Sequence, residues 1–139
     1  MAKKFRLGYT AGVFDLFHVG HLNILKRAKE QCESLIVAVS TDELVFEYKN
    51  YSPIIPYFDR KSIIEAIRYV DKVVPQINRV KIEAFNKYRF DAMFVGQDWK
   101  GSEIFNKVDL YMRQHNGRVV YLPYTDNISS SIIKTYLSK

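Results

Sequence analysis

Two histidines stand three residues apart in a short segment that also holds a glycine and an aspartate. His18 and His21 lie on either side of Gly20, and Asp15 precedes them. At this spacing both imidazoles lie close to one face of the first turn of a helix. A helix N-terminus offers unpaired N–H groups and a partial positive charge, so it favours phosphate. Imidazole N–H groups there can donate to oxygens that gain charge during phosphoryl or nucleotidyl transfer.

A zinc site is the competing interpretation of the histidine pair, because imidazole is a common zinc ligand. Zinc would need further protein ligands. The remaining candidates are His115 and the only cysteine, Cys32, and both fall inside predicted helices. We therefore expect the pair to stabilise charge, and we expect no metal-ligating residues.

Short apolar runs alternate with helical periodicity along the chain. Apolar residues recur every three to four positions in the segments between the runs, as in amphipathic helices. The alternation predicts a single Rossmann-like α/β domain over residues 1–139, with a five-stranded parallel sheet and helices on both faces. The predicted strands cover residues 7–13, 35–39, 72–74, 92–95 and 119–122.

The loops that follow these strands are the expected ligand-binding segments. In parallel sheets, ligands bind at the carboxyl ends of the strands, near the point where the strand order reverses. The histidine segment belongs to the first of these loops. The loops cover residues 11–21, 40–49, 75–79, 96–101 and 123–131.

The composition is that of a globular protein with a basic balance. The 139 residues are 47% hydrophobic and carry a formal net charge of +6. The charge is spread along the chain without a run of about five like charges, so we expect small polyphosphates and no nucleic acid as partners. No window approaches the roughly 18 apolar residues of a membrane span, and the start lacks the apolar stretch of a signal peptide. We expect a cytoplasmic protein without a membrane partner.

The pattern Gly12-x-Phe14-Asp15-x-x-His18-x-Gly20-His21 resembles the signature of the cytidylyltransferase-like nucleotidyltransferase superfamily. Within it, the chain most resembles the glycerol-3-phosphate cytidylyltransferase family, and the resemblance spans nearly the whole chain in order. It implies transfer of a cytidylyl group from CTP to a phosphorylated alcohol such as glycerol 3-phosphate, with Mg²⁺ accompanying the triphosphate, by a homodimer. The further matching stretches are residues 39–43, 67–71, 96–99, 120–123 and 128–130.

The resemblance also implies roles for individual residues. His18 and His21 would stabilise the transition state at the α-phosphorus. Lys49 would reach the triphosphate or the acceptor phosphate, and Arg68 would bind the acceptor phosphate or line the pocket. The implied nucleotide-binding residues are Ala11, Gly12, Val13, Phe14, Asp15, Gly20, Asp98, Trp99, Thr125, Ser129 and Ser130.

Two positions depart from the family pattern. Tyr124 stands where the family has a phosphate-binding arginine, and Asn127 stands where it has a glycine. Losing a bidentate phosphate donor is not a conservative change. One alternative is an adenylyltransferase using ATP, as in phosphopantetheine- or FAD-forming enzymes, which share the histidine motif and a similar Ile-Ser-Ser ending. The other, motivated by Tyr124 and Asn127, is a nucleotide-binding module without turnover. Glycerol 3-phosphate, another polyol phosphate, phosphocholine and phosphoethanolamine are all candidate acceptors.

Overall fold

Five strands form one sheet in which all neighbouring pairs run parallel. The computed structural model describes residues 3–124 and 129–138. The strands are β1 (Phe5–Gly12), β2 (Cys32–Ser40), β3 (Lys72–Gln76), β4 (Ala92–Gly96) and β5 (Arg118–Leu122). The order across the sheet is β3-β2-β1-β4-β5, which confirms the predicted five-stranded parallel sheet.

Helices cover both faces of the sheet, as the sequence predicts. The helices are α1 (Val19–Gln31), α2 (Asp42–Lys49), α3 (Tyr57–Glu65), α4 (Lys81–Tyr88), α5 (Glu103–Arg113) and α6 (Ser130–Leu137). One apolar core lies beneath α1 and α3, and the other lies beneath α4 and α5. No helix in the described residues is long and apolar enough to cross a membrane.

The continuous apolar run of β2 supplies both cores. Successive side chains of a strand point to opposite faces, so Leu35, Val37 and Val39 join the core beneath α1, while Ile36 and Ala38 join the other. A strand covered on both faces needs apolar residues at consecutive positions. This is why the segment carries no hydrophobic–polar alternation.

The structure differs from the sequence prediction at several element boundaries. Cys32 is the first residue of β2 and not part of α1, and it is fully buried. Pro75 lies within β3 instead of ending it, which is tolerated because β3 is an edge strand of the sheet. His115 lies in a turn after α5, and α3 ends at Glu65, before the last apolar residues predicted for it.

The strand order places a switch point beside the histidine segment. From β1 the chain moves outward to β2 and β3, then returns to β4 on the other side of β1 and continues to β5. Ligands of doubly wound sheets bind where the order reverses. Here that place is the carboxyl end of β1 and β4, directly at the loop that leads into α1.

Candidate active site

A cavity of about 690 Å³ opens at the carboxyl edge of the sheet, over the switch point. Its volume is within the roughly 300–1,000 Å³ of ligand pockets. The floor is formed by β1, the loop after it and β4. On the β4 side, the wall includes Gly96, Trp99, Tyr124, Ser130, Ser131 and Lys134. On the β2 side, it includes Ser40, Tyr48, Lys49, Gln76, Arg79 and Lys81.

The two histidines themselves close the first turn of α1. His18 is the N-cap residue, and its Nδ1 accepts a hydrogen bond from the Gly20 N–H at 3.1 Å. His21 returns the contact, because its Nδ1 accepts from the His18 N–H at 3.2 Å. This is the reciprocal arrangement of a capping box, built here from two imidazoles. The sequence spacing of three is therefore the spacing that such a cap requires.

The cap determines which ring nitrogen carries the proton. An Nδ1 that accepts a hydrogen bond is unprotonated, so each neutral imidazole carries its proton on Nε2. The rings of His18 and His21 stack with centroids 3.8 Å apart. Burial lowers the pKa of His18, and burial together with the charge of His18 lowers the pKa of His21 to about 4. At neutral pH the pair therefore presents two neutral Nε2–H donors.

The two donors occupy different surroundings. His21 lines the cavity, whereas the Nε2 of His18 is buried and has no hydrogen-bond partner among the described residues. A buried donor without a partner lowers the stability of the folded protein by about 1–3 kcal/mol. A ligand oxygen that accepts a hydrogen bond from this Nε2–H would remove that cost. Fixed donors of this kind stabilise charge that develops on oxygen without having to reorganise.

We expect the free energy of unfolding to fall as the pH is lowered from about 6.5 to about 4. Between these pH values, His21 is protonated in the unfolded chain and neutral in the folded chain. The free energy of unfolding therefore decreases as the pH falls. His21→Gln removes this titration and keeps an acceptor for the N-cap, because glutamine also serves in capping boxes. Urea titrations across this pH range should therefore give a shallower slope for His21→Gln than for wild type.

His115→Gln is the matched control for this measurement, since His115 is exposed outside the cavity. Comparing the slopes of the two variants separates an effect at the histidine cap from the loss of an imidazole elsewhere. Identical slopes for wild type and His21→Gln would contradict the low pKa assigned to His21.

Asp15 joins three segments beneath the cavity. Its carboxylate accepts hydrogen bonds from the N–H groups of Ile54 and Ile55, both at 2.9 Å, and pairs with Lys134 at 3.1 Å. Burial alone would raise the pKa of Asp15, but the two N–H donors and Lys134 together lower it. The predicted nucleotide-binding aspartate is thus part of the cavity wall, with its oxygens engaged by the protein.

The backbone around Asp15 is strained. Phe14 and Leu16 have φ angles of 56° and 51°, in the left-handed region that residues other than glycine seldom adopt. Such conformations persist where the surroundings over-determine them. The hydrogen bonds and ion pair of Asp15 provide that constraint, so the loop before the histidines is held in one shape.

Arg60 is a buried anchor that the sequence pattern did not reveal. Its side chain is fully buried and makes four hydrogen bonds at 2.7–2.8 Å. The acceptors are the carbonyls of Ile55, Val13 and Ser40, and the carboxylate of Asp42. The guanidinium thereby binds the loops after β1 and β2 to the segment before α3. An arginine in an amphipathic helix is normally exposed, so the sequence pattern does not predict the burial of this one.

The end of β4 brings predicted nucleotide-binding residues next to Tyr124. The Tyr124 hydroxyl is hydrogen-bonded to Asp98, and burial followed by this bond raises the pKa of Tyr124 to about 12. A Cβ on Gly96 would lie 3.0 Å from both Asp98 Oδ1 and the Tyr124 hydroxyl, so the glycine leaves room for the pair. Trp99 lines the cavity beside them and packs edge-on against Phe105.

The start of α6 reaches the same side of the cavity. Ser129 is its N-cap, and the Ser129 hydroxyl accepts from the N–H of Ile132 at 3.1 Å. The Ser130 hydroxyl donates to the carbonyl of Asp15 and lines the cavity. Both serines therefore hold the helix in place while its first turn faces the cavity. Thr125, also predicted to bind nucleotide, lies outside the described residues.

Most of the predicted nucleotide-binding residues meet around the cavity. The predicted residues that line the cavity are Ala11, Gly12, Val13, Phe14, Asp15, Trp99 and Ser130. Three more predicted residues, Gly20, Asp98 and Ser129, lie next to the cavity wall and make the hydrogen bonds described above.

Three cations line the β2 side of the cavity. Lys49, at the end of α2, lies with its Nζ 5.6 Å from the ring centroid of Tyr48. Arg79 lies in the loop after β3 that was predicted to bind ligand, and Lys81 lies two residues further on. Neither residue belongs to a recognised sequence motif. None of the three forms an ion pair with a described carboxylate. Burial, and then the charge of Arg79, lowers the pKa of Lys81 to about 8.

Arg68 lies away from the cavity. It occupies the exposed turn between α3 and β3, with its guanidinium 5.2 Å from the ring centroid of Tyr69. The same turn ends at Asp71, whose N–H bonds to the carbonyl of Leu35 near the start of β2. This is the amino edge of the sheet, opposite the cavity. The structure thus corrects the prediction that Arg68 serves the pocket of its own chain.

The described residues contain no group of three or more His, Cys, Asp or Glu side chains that could hold a metal ion. Asp15, the carboxylate in the cavity wall, is already engaged with N–H groups and with Lys134. A divalent cation at this place would therefore depend on oxygens of the ligand, as Mg²⁺ commonly does when it binds with phosphates.

A parallel α/β sheet with a helix N-terminus at its switch point provides a phosphate site. Two neutral imidazole donors and a facing wall of cations supply stabilisation of charged oxygens. Fold and site together define a nucleotidyltransferase. The cytidylyltransferase-like family model matches residues 9–136, and the chain belongs to that family.

The proteins similar in sequence include both glycerol-3-phosphate cytidylyltransferases and FAD synthases. The chain is 40% identical to glycerol-3-phosphate cytidylyltransferase of Bacillus subtilis (strain 168), covering 90% of this chain and 92% of that one. It is 35% identical to FAD synthase of Thermococcus kodakarensis, covering 96% and 95%. The crystal structure of the lipopolysaccharide core biosynthesis protein from Thermoplasma volcanium GSS1 shares the fold, with a TM-score of 0.70 at 21% identity over 87% of this chain and 97% of that chain.

Proposed function

We propose that this protein transfers a cytidylyl group from CTP to a small phosphorylated alcohol, glycerol 3-phosphate or a similar polyol phosphate, and releases pyrophosphate. The observation that carries the proposal is the histidine capping box beside the switch-point cavity, which keeps the proton of each neutral imidazole on Nε2 and places His21 in the cavity wall. Similarity to the Bacillus subtilis cytidylyltransferase supports the choice of CTP and of the acceptor class.

The proposed reaction is an in-line displacement. A phosphate oxygen of the acceptor attacks the α-phosphorus of CTP, a new P–O bond forms, and the bond to the β-phosphate bridging oxygen breaks. No side-chain nucleophile is needed, because positioning and charge stabilisation supply most of the catalysis. His18 and His21 donate from Nε2 to phosphate oxygens whose charge increases in the transition state.

The two sides of the cavity suit the two substrates. The side that holds Gly96, Trp99 and the first turn of α6 adjoins the switch point, where nucleotides bind in doubly wound sheets. The opposite side holds Lys49 and Lys81, which lack carboxylate partners among the described residues. An acceptor phosphate placed there would face the α-phosphorus across the histidine pair.

Magnesium is the proposed companion of the triphosphate. When bound, it would neutralise phosphate charge, held mainly by the phosphate oxygens themselves, because the described residues offer no cage for it.

Two other functions have a specific observation in their favour. Similarity to FAD synthase of Thermococcus kodakarensis favours an adenylyltransferase that uses ATP. The replacement of the family's arginine by Tyr124, hydrogen-bonded to Asp98, favours a nucleotide-binding module without turnover.

A pyrophosphate-release screen tests the proposal and separates these alternatives. CTP and ATP are each combined with Mg²⁺ and with glycerol 3-phosphate, other polyol phosphates, phosphoethanolamine, phosphocholine or FMN. We expect the highest kcat/KM for CTP with a polyol phosphate. Turnover with ATP and FMN instead would support the adenylyltransferase, and CTP binding without turnover on any acceptor would support the binding module.

We further propose that the protein acts as a cytoplasmic homodimer. The support is the family resemblance, together with large apolar side chains on the surface, such as Phe58 at 76% exposure. Light scattering at micromolar concentration should give twice the 16.3 kDa chain mass; a monomer mass would contradict the dimer.

A further inference from the structure

We propose that Arg79, held against the ring of Tyr48, is a specificity-determining residue that favours acceptors bearing a phosphate and no cationic group. The inference rests on the proposed function for the identity of the reaction. It adds a residue and a selection rule that neither the sequence motif nor the histidine site supplies.

The position of Arg79 is fixed by two neighbouring elements. Its guanidinium carbon lies 4.3 Å from the ring centroid of Tyr48, close enough for a cation–π contact. Tyr48 lies in α2, which follows β2, and Arg79 lies in the loop after the adjacent strand β3. The side chain of Asn78 accepts from the N–H of Val80 at 2.9 Å and shapes this loop. The guanidinium is therefore held at the cavity wall.

Arg79 and Lys81 form a cationic pair without a counterion from the described residues. The acidic residue nearest to them in the chain, Glu83, is hydrogen-bonded to Asn78, and neither cation has an ion pair. Lys81 is partly buried and Arg79 is exposed, and the two like charges repel each other. An anion between them removes that repulsion and gains charge-assisted hydrogen bonds. The depressed pKa of Lys81 has Arg79 among its causes, which agrees with their proximity.

The positive charges of Arg79 and Lys81 select among phosphorylated alcohols. A phosphate dianion complements Arg79 and Lys81, whereas the ammonium group of phosphoethanolamine or phosphocholine would face two further cations. Deeper in the same wall, the buried Ser40 hydroxyl donates to Gln76 Oε1 at 2.7 Å. The Ser40 oxygen can then accept a hydrogen bond from a hydroxyl of the ligand. The acceptor that fits this part of the cavity best is therefore a phosphate ester whose alcohol portion carries hydroxyl groups and no charge.

The test compares Arg79→Gln with a matched control, Arg118→Gln. Arg118 also lies over an aromatic ring, that of Phe5 at 5.5 Å, but at the amino edge of the sheet. Both substitutions remove one positive charge and one cation–aromatic contact. For Arg79→Gln we expect the KM for glycerol 3-phosphate to rise about 10-fold or more, the loss typical of a hydrogen bond to a charged group. The KM for CTP should change less than about twofold, and Arg118→Gln should resemble wild type.

The preference between acceptors gives a second readout. The ratio of kcat/KM for glycerol 3-phosphate over phosphoethanolamine should fall in Arg79→Gln, because repulsion of the ammonium group is reduced. Tyr48→Leu removes the ring that supports Arg79 and should raise the acceptor KM more than Tyr48→Phe, which keeps the ring. An unchanged acceptor KM and an unchanged ratio in Arg79→Gln would overturn the assignment.

Direct binding separates this inference from the proposed function. Calorimetry measures the Kd of glycerol 3-phosphate for the wild-type protein and both arginine variants, without nucleotide. If glycerol 3-phosphate binds more weakly to Arg79→Gln but not to Arg118→Gln, the acceptor subsite is supported. This holds even if the wild-type protein shows no turnover with any nucleotide, in which case only the proposed function fails. Equal binding by all three proteins overturns the subsite while leaving cytidylyl transfer intact.

Discussion

Replacing either His18 or His21 by alanine is expected to lower kcat by about 10²–10³-fold, the usual effect of removing one well-placed donor to a developing charge. Each imidazole presents a neutral Nε2–H because its Nδ1 is occupied in the capping box. The transition state gathers charge on phosphate oxygens, so losing a donor raises the barrier more than it weakens ground-state binding. Pyrophosphate release at saturating CTP and acceptor measures this loss.

An alanine substitution also removes half of the helix cap, so cap-preserving variants are needed. His18→Asn keeps an N-cap oxygen, since asparagine is among the preferred N-cap residues. His21→Gln keeps the acceptor for the His18 N–H. Both variants should retain wild-type stability at neutral pH and yet lose most activity. Recovery of near-normal kcat in these two variants would show that the histidines act only as caps.

Replacing Arg60 by methionine is expected to lower the free energy of unfolding by about 3–5 kcal/mol, because three carbonyls lose their donor and a buried acceptor left unsatisfied costs about 1–3 kcal/mol. Methionine fills similar volume, so the loss reports on hydrogen bonds more than on a cavity. Three carbonyls and the carboxylate of Asp42 would lose their donor. Urea-induced unfolding at neutral pH measures the change.

Arg68→Met is the matched control, because Arg68 is exposed and lies at the opposite edge of the sheet. Surface substitutions of this kind usually change stability by about 0.5 kcal/mol or less. Equal destabilisation by the two substitutions would contradict the anchoring role of Arg60. Since Arg60 joins the loops after β1 and β2, residual folded Arg60→Met should also have a raised KM for both substrates.

The fold could be predicted because its signals are local. The run from Leu35 to Val39 is apolar at every position, which in a strand of this length indicates burial on both faces. Boundaries were less certain, because they depend on neighbours far away in sequence. Cys32 continues a helical spacing but pairs with Phe5 of β1, and Pro75 is accepted only because β3 has no strand on its outer side.

The same distinction applies to the site. The histidine pair could be predicted to lie on one face of the first helical turn, because its spacing of three is a local signal. The capping box formed by the two rings was not predicted. The contacts of Arg60, Arg79 and Lys81 could not be predicted either, because they are made with other elements. Arg68 was placed in the pocket by family resemblance, yet it lies in a helix-to-strand turn. Such turns meet the amino ends of strands, the edge that ligands of parallel sheets avoid.

The position of β1 at the centre of the sheet has a consequence for biosynthesis. Of the five strands, β1 is translated first, and its partner on one side, β2, follows within about 20 residues. Its partner on the other side, β4, begins roughly 80 residues later, which takes about 4–16 s at a synthesis rate of about 5–20 residues per second. During that time Tyr9 and its neighbours present an open strand edge that other nascent chains can pair with. A chain that stops before β4 therefore lacks the partner that covers this edge in the folded sheet.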